Sequence, residues 1–246
     1  MMALSEDRQA NPAPSFPPLF RGMAAEHPFA GAVAEARGGA DPGLITYHIR
    51  PDHLSAAVLL APESPLGDAM AMVLALSNGF ADAFGALAPS ETACQFDWPG
   101  TFRINGARCG ALRAAASLRD PDQEPDWLVI GIDVPFFAEA HAEPGEAPDR
   151  TTLWDEGCSE IEPARLLESW SRHQLIWINE WLDGGNANLH RDGLGRAFSL
   201  NKEVTLSYRG ETLTGTFLGL DERGGMVLKT ARGERLLPLT GMLEDI

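Results

Sequence analysis

The sequence predicts an α+β fold, in which a mixed β-sheet backed by helices is followed by a small β-barrel. Two observations lead to this class. Short β-type runs and longer helical patterns alternate through the first 200 of the 246 residues. From about residue 201 the chain changes to short β runs divided by glycine turns. We therefore expect a loose proline-rich tail over residues 1–18, a large domain over residues 19–200 and the barrel over residues 201–246.

The first four elements are a helix, two strands and a second helix, over residues 26–37, 44–49, 54–60 and 65–87. Gly38-Gly39 ends the first helix. Four residues, Arg50-Pro51-Asp52-His53, separate the two strands, and this length predicts a hairpin. The second helix carries apolar residues at helical spacing, among them Met70 and Phe84, and so has a face for the core.

The next elements are four strands, an acidic loop and a third helix, over residues 95–98, 101–104, 109–118, 127–134, 138–160 and 163–182. Asn105-Gly106 is a strong type I′ turn signal and predicts a hairpin. The apolar run 127–134 is typical of a central strand buried on both faces. Pro163 starts the helix, as proline can at a first helical position. Three tryptophans on one stripe of this helix indicate core packing: Trp170, Trp177 and Trp181.

The predicted barrel consists of four short strands, over residues 204–208, 212–220, 226–229 and 235–239. Gly210, Gly224-Gly225 and Gly233 separate these strands at nearly even spacing. Even spacing with glycine turns is typical of a small barrel.

The charge of the chain excludes some classes of partner. The formal net charge is −16, of which −15 falls in residues 1–200, since residues 201–246 hold six basic and seven acidic side chains. Such a surface repels phosphate backbones and anionic lipids, so we expect neither nucleic acid nor membrane as a partner. Three widely spaced cysteines and no long apolar run predict a reduced, cytoplasmic protein.

Residues 97–112 carry the most informative motif: Trp98-Pro99, then Asn105-Gly106, then Gly110. This segment resembles the signature of biotin protein ligases, in which Lys-Trp-Pro-Asn-Asp precedes a hydrophobic strand, Asn/Asp-Gly and Arg-Lys-x-Gly/Ala-Gly-Ile-Leu. The later Val129-Ile130-Gly131-Ile132 resembles another strand of that family. The order of hairpin, buried strand, helix and barrel also matches. The resemblance therefore implies a biotin/lipoate protein ligase-like domain followed by an SH3-like β-barrel.

The same resemblance implies an acid-binding site where the hairpin, the Lys/Gly segment and the buried strand meet. Its expected ligand-binding residues are Arg50, Trp98, Arg108, Cys109, Gly110 and Gly131. Arg108 stands at the position of the family's catalytic lysine, and the two glycines would admit a ligand close to the backbone. The expected partners are a small carboxylic acid of biotin, lipoate or acyl type and a carrier protein.

The departures from the family predict lost or altered adenylation. Family ligases place a Gly/Arg-rich loop over the acyl-adenylate, where this chain has only residues 50–53. Residues 1–201 contain no lysine. Gly100-Thr101 replaces the paired Asn-Asp, and Pro135 replaces a later Asn. We therefore expect a protein that binds a small acid, with catalytic residues unknown and with ATP and Mg²⁺ as cofactors only if ligase activity is retained.

Other interpretations remain open. The chain could be an active acyl-protein ligase or acyltransferase on a biotin- or lipoyl-type carrier protein, or an interaction module that uses the barrel as its contact surface. Arg108 and Arg50 could be solvated surface arginines, and Trp98 could belong to the core. Cys109 could be a nucleophile, as cysteine is in related transferases, or a buried thiol. His48 and His53 lack metal-ligand spacing, and no metal site is predicted.

Overall fold

A seven-stranded sheet forms the centre of the molecule. The computed structural model describes residues 13–137 and 149–245. Most of the predicted tail and residues 138–148 of the predicted loop therefore lie outside the described residues. The strands are β1 (Arg21–Ala24), β2 (Leu44–Arg50), β3 (His53–Leu60), β4 (Cys94–Asp97), β5 (Thr101–Ile104), β6 (Ala107–Ala116) and β7 (Leu128–Pro135). Their order is β1-β2-β3-β7-β6-β5-β4, and β1–β2 is a parallel pair in an otherwise antiparallel sheet. The predicted mixed sheet is confirmed.

Helices cover both faces of this sheet. They are α1 (Pro28–Arg37), α2 (Leu66–Ala69), α3 (Met72–Gly85), α4 (Pro163–Gly184) and α5 (Asn186–Gly195). Helix α1 packs against β2, β3 and β7 on one face, above a small core that includes Val129. The α3–α4 pair packs on the other face, above a larger core that includes Ile130. Strand β7 is thus buried on both faces, as its apolar run predicts.

Three local differences separate the observed elements from the predicted ones. The helix predicted over residues 65–87 is two helices, because the α-helical run is interrupted at Met70-Ala71. Helix α5 was not expected; it follows Gly185, whose φ of 66° redirects the chain immediately after α4. Strand β1 was also missed, and its four residues are mostly exposed at the edge of the sheet.

A separate four-stranded antiparallel sheet follows. Its strands are β8 (Glu203–Tyr208), β9 (Glu211–Leu220), β10 (Met226–Thr230) and β11 (Gly233–Leu237), in the order β11-β10-β9-β8. The four strand runs confirm the prediction, but β8 and β11 are not paired with each other within the described residues. The observed unit is therefore an open sheet with its own small core, which includes Phe217 and Leu228, and not a closed barrel.

The end of the described chain returns to the main sheet. After β11, a 3₁₀ helix over Leu239–Met242 leads to Leu243, and both leucines are buried. The Glu244 N–H donates to the Ala114 carbonyl at 2.9 Å, and Leu243 forms a parallel bridge with Ala114. This contact covers β6 where β5 no longer pairs with it, since the β5–β6 pairing does not extend past Ala111. No helix in the described part of the chain is long and apolar enough to cross a bilayer.

Candidate functional site

Trp98 lies between the two sheets. Its Nε1–H donates to the Gly224 carbonyl at 3.0 Å, and its ring centroid lies 5.9 Å from that of Tyr208. Tyr208 in turn donates from its hydroxyl to the Pro238 carbonyl at 2.9 Å. The tryptophan therefore joins the β4–β5 hairpin to the second sheet.

Arg108 lies near Trp98, in a cleft of about 480 Å³ between the β4–β5 hairpin and β8. Its side chain is 48% exposed and faces two carboxylates, Asp97 at 3.8 Å and Asp149 at 3.4 Å. These partners compensate the guanidinium charge at the edge of the protein.

Cys109 and Gly110 serve packing in this structure. The Cys109 side chain is fully buried in the core beneath α3 and α4, and burial raises the pKa of its thiol far above the ordinary value. Gly110 has a φ of 101°, and a Cβ there would lie 2.4 Å from the Asp133 carbonyl oxygen. Glycine is required at this position because two strand backbones meet closely there.

Arg50 lies in the short β2–β3 hairpin and is held by its neighbour. Its Nε and Nη2 donate to the two carboxylate oxygens of Asp52, each at 2.9 Å. The hydrogen bond from Arg50 is the largest cause of the lowered pKa of Asp52. Both side chains are about half exposed.

Gly131 lies on the opposite face of the sheet from Cys109, under α1. A Cβ at this position would lie 2.8 Å from the Phe29 ring. The six residues expected to share one pocket are therefore spread over the cleft beside Arg108, the core, a cavity of about 930 Å³ that Arg50 lines, and another cavity at Gly131. The single pocket expected from the sequence is not formed by these residues in the described structure. A ligand-binding role for each of them stays a prediction.

The cavity at Gly131 has a volume of about 330 Å³. Its wall is formed by residues 26–30 at the start of α1, and its floor by three strands of the sheet: Ser55 and Ala56 of β3, Arg113 of β6, and Gly131, Ile132 and Asp133 of β7. The antiparallel register explains this grouping. Arg113 faces Gly131, and Ser55 faces Asp133, so their side chains share the α1 side of the sheet.

Arg113 supplies a permanent positive charge to this cavity. Its guanidinium carbon lies 4.4 Å from the centroid of the Phe29 ring, a distance suited to a cation–π contact. Its Nε and Nη2 donate to the two carboxylate oxygens of Glu244, each at 2.6 Å. These hydrogen bonds are the main cause of the raised pKa of Arg113.

Asp133 supplies a hydrogen-bond acceptor beside that cation. His53 Nε2 contacts one carboxylate oxygen, and the Ser55 hydroxyl donates to the other at 2.9 Å. Partial burial raises the pKa of Asp133, but the contacts with His53, Ser55 and Arg113 outweigh it, so the pKa lies below its usual value. The guanidinium of Arg113 and the carboxylate of Asp133 thus lie on the same side of this cavity, on the sheet.

Sequence reasoning missed both Arg113 and Asp133, although a signal for them exists. Arg113 is the one charged residue in the run 109–116, and Asp133 is the one charged residue in the run 127–134. A charge inside an apolar strand is costly to bury without a partner or a function.

The charge balance of the cavity does not fit a nucleoside triphosphate. Glu26 and Asp133 line it, and Glu244 pairs with Arg113, so three carboxylates lie at this cavity or beside it, against one guanidinium. A triphosphate would meet net repulsion there. Within residues 13–137 and 149–245, no three His, Cys, Asp or Glu side chains are grouped in a way that could hold a metal ion.

Comparison with known proteins identifies the family. The model of the biotin/lipoate A/B protein ligase family matches residues 16–194. The chain belongs to this family. A second model, described as a domain of unknown function (DUF4444), matches residues 209–245, which include most of the second sheet.

Relatives within the family agree with this assignment. A biotin–[acetyl-CoA-carboxylase] ligase of Paracoccus denitrificans is 22% identical over 158 residues, which are 64% of this chain. The chain thus spans 65% of the length of that curated relative.

Solved structures show the same fold over nearly the whole chain. A biotin protein ligase-like protein of unknown function from Silicibacter sp. TM1040 is 47% identical, with a TM-score of 0.88 over 95% of this chain and 100% of that one. Biotin protein ligase from Aquifex aeolicus is 17% identical, with a TM-score of 0.73 over 91% of this chain and 97% of that one. The predicted family and fold are therefore confirmed.

Proposed function

We propose that this protein binds a small carboxylic acid of biotin, lipoate or acyl type in the cavity between α1 and the sheet. The observation that carries this proposal is Arg113, a guanidinium that lies over the Phe29 ring at the wall of a 330 Å³ cavity. A guanidinium can pair a carboxylate through two parallel hydrogen bonds, and an aromatic ring beside it offers apolar surface for the acyl part. Arg113 thus replaces Arg108 as the proposed acid-binding cation.

The relatives support an acid of this class. The Paracoccus relative is named a biotin ligase, and one structure of the Aquifex enzyme is described as a complex with biotin and ATP. That structure has 18% identity and a TM-score of 0.67 to this chain. The cavity volume lies at the lower end of the range for small-molecule sites, which suits a compact acid without a nucleotide.

We also propose that adenylation is lost or strongly altered. Arg50 and Asp52 pair with each other inside a direct hairpin, so no loop of the adenylate-covering kind extends from β2–β3. Residues 1–201 provide no lysine to contact an acid and a phosphate together. The carboxylates of Glu26, Asp133 and Glu244, at the cavity or beside it, add to the case against a bound triphosphate.

The alternative is an active ligase or acyltransferase that acts on a carrier protein. A cysteine-based transfer finds little support, because Cys109 is fully buried and burial raises the pKa of its thiol.

The binding proposal is tested by titrating biotin, lipoate and octanoate into the wild-type protein and two arginine variants. Arg113→Gln should weaken binding of the acid about 10- to 100-fold, since one charge-assisted pair is lost. Arg119→Gln is the matched control, because Arg119 is a half-exposed arginine that pairs with Asp245, the residue after Glu244. Equal affinity of the wild type and Arg113→Gln for every acid would show that the cavity is not the acid site.

The adenylation proposal is tested by acid-dependent pyrophosphate release from ATP and Mg²⁺. Biotin, lipoate and octanoate should each give release no faster than a control without acid. Robust turnover by highly purified protein, at the rate of a family ligase assayed in parallel, would favour the active-ligase alternative.

A further inference from the structure

The C-terminal segment, residues 239–245, brings a carboxylate of the chain itself to Arg113 of the proposed site. Leu239 and Leu243 are 2% and 7% exposed, and they anchor the segment on the main core. The Glu244 N–H donates to the Ala114 carbonyl at 2.9 Å, one position beyond Arg113 on β6. These contacts determine where the Glu244 side chain lies.

The Glu244 carboxylate occupies the edge of Arg113 that best pairs an acid. Its two oxygens accept from Nε and Nη2 at 2.6 Å each, in a parallel two-bond arrangement. The Phe29 ring covers the face of the same guanidinium at 4.4 Å. With its face and one edge held, the guanidinium has little freedom to turn toward a second carboxylate.

We propose that Glu244 is a specificity-determining residue of the acid site, because it occupies the carboxylate subsite and a bound acid must displace it. This inference rests on the proposed function. Glu244 and a bound acid compete for the same contact, since the side chain of Glu244 and a monocarboxylic acid each present a carboxylate to Arg113. The competition lowers the affinity for acids and leaves the affinity for neutral analogues unchanged.

The experiment compares wild-type protein with Glu244→Gln, which keeps the size of the side chain and removes its charge. Biotin, lipoate and octanoate, and the primary amide of each, are titrated into both proteins by calorimetry. Glu244→Gln should bind the acids about three- to tenfold more tightly, as expected for loss of a half-exposed competing ion pair. The amides should bind the two proteins equally.

Asp245→Asn provides the matched control. Asp245 pairs with Arg119 in the same segment but does not contact Arg113, so acid affinity should stay at the wild-type value. Circular dichroism and thermal melting establish that each variant is folded. If Glu244→Gln is unstable, Glu244→Asp keeps the charge, shortens the side chain and should give a smaller gain in acid affinity.

The outcomes separate the two proposals. Acid affinity that is unchanged or weaker in Glu244→Gln overturns the role of Glu244, and the acid site survives if Arg113→Gln still loses affinity. Acid binding that appears only in Glu244→Gln supports both the acid site and the role of Glu244. If no acid binds wild type or Glu244→Gln, both proposals are wrong.

Discussion

At the scale of single residues, Asp133 shows how a charge can be kept inside an apolar strand. Its neighbours on β7 are buried, yet its carboxylate has His53 on one oxygen and Ser55 on the other. Arg113 adds a favourable charge from the next strand. The lowered pKa of Asp133 means that the folded protein stabilises the ionised form more than the unfolded chain does.

Asp133 should therefore make stability depend on pH in a defined direction. Because its pKa is depressed, its contribution is present above the unfolded value of about 4 and is lost as the pH falls through the folded value. Asp133→Asn should lower the free energy of unfolding at neutral pH, because the charged contacts of the carboxylate are lost. The loss should be only about 1 kcal/mol, because the side chain is half exposed. Urea denaturation at pH 7 and near pH 3 measures the difference.

Ser55→Ala removes one donor and keeps the carboxylate, so its destabilisation at pH 7 should be smaller than that of Asp133→Asn. The difference between wild type and Asp133→Asn should shrink near pH 3. If the free energies of unfolding of wild type and Asp133→Asn differed equally at both pH values, ionisation of Asp133 would not be the cause.

At the scale of elements, the contact between α3 and α4 brings two helix backbones together. At Gly79, an added Cβ would lie 2.8 Å from both the Cα and the N of Gln174. Two tryptophans of α4 donate hydrogen bonds to α3 on either side of this point. Trp170 Nε1 donates to the Leu76 carbonyl at 3.2 Å, and Trp177 Nε1 donates to the Asp82 carboxylate at 2.7 Å. The tryptophan stripe predicted as core thus also fixes the position of α4 on α3.

Gly79→Ala should destabilise the protein by about 1–3 kcal/mol, because the added methyl group meets backbone atoms that cannot move aside alone. Gly85→Ala, at the end of the same helix, is the matched control. Nothing lies within 4 Å of a Cβ at that position, so it should be neutral or stabilising by up to about 1 kcal/mol. Thermal and urea denaturation measure both, and equal effects would contradict the close approach at Gly79.

At the scale of the whole molecule, the two sheets are joined through Trp98 and through the C-terminal segment. Trp98 donates to Gly224 in the β9–β10 turn, while Leu239 and Leu243 extend the main core. The second sheet is therefore attached to the main domain at the β9–β10 turn and again after β11. Strand β8 of this sheet forms one wall of the cleft beside Arg108.

Trp98→Phe should weaken this junction by about 0.5–1.5 kcal/mol, because the Gly224 carbonyl loses its donor. Amide hydrogen exchange in β8–β10 should become faster while exchange in β7 stays unchanged. Trp154→Phe is the control, since Trp154 is 52% exposed and lies away from the junction. Unchanged exchange in the second sheet of Trp98→Phe would show that the tryptophan does not hold the two sheets together.

The fold was more predictable than the site, for a physical reason. Strand and turn signals such as Asn105-Gly106 are local, and this turn has the two positive φ angles that the signal implies. The cavity depends instead on register between strands far apart in sequence and on where α1 lies. Alternation along each strand says neither that Arg113 and Gly131 share a face nor which face meets α1, because both depend on the register. The motif resemblance predicts Arg108 as the acid-binding cation, but Arg108 lies before the register irregularity of β5–β6 and faces a different cleft.

Because the C-terminal segment returns to β6, the two partners of this contact are synthesised at different times. Arg113 and Glu244 are 131 positions apart, so a ribosome needs on the order of ten seconds to deliver the second after the first. Until then the far half of β6 offers unsatisfied backbone groups to any neighbouring strand. Nascent chains released before residue 239 should therefore be the aggregation-prone species, and a chaperone that shields β6 would help this protein during translation.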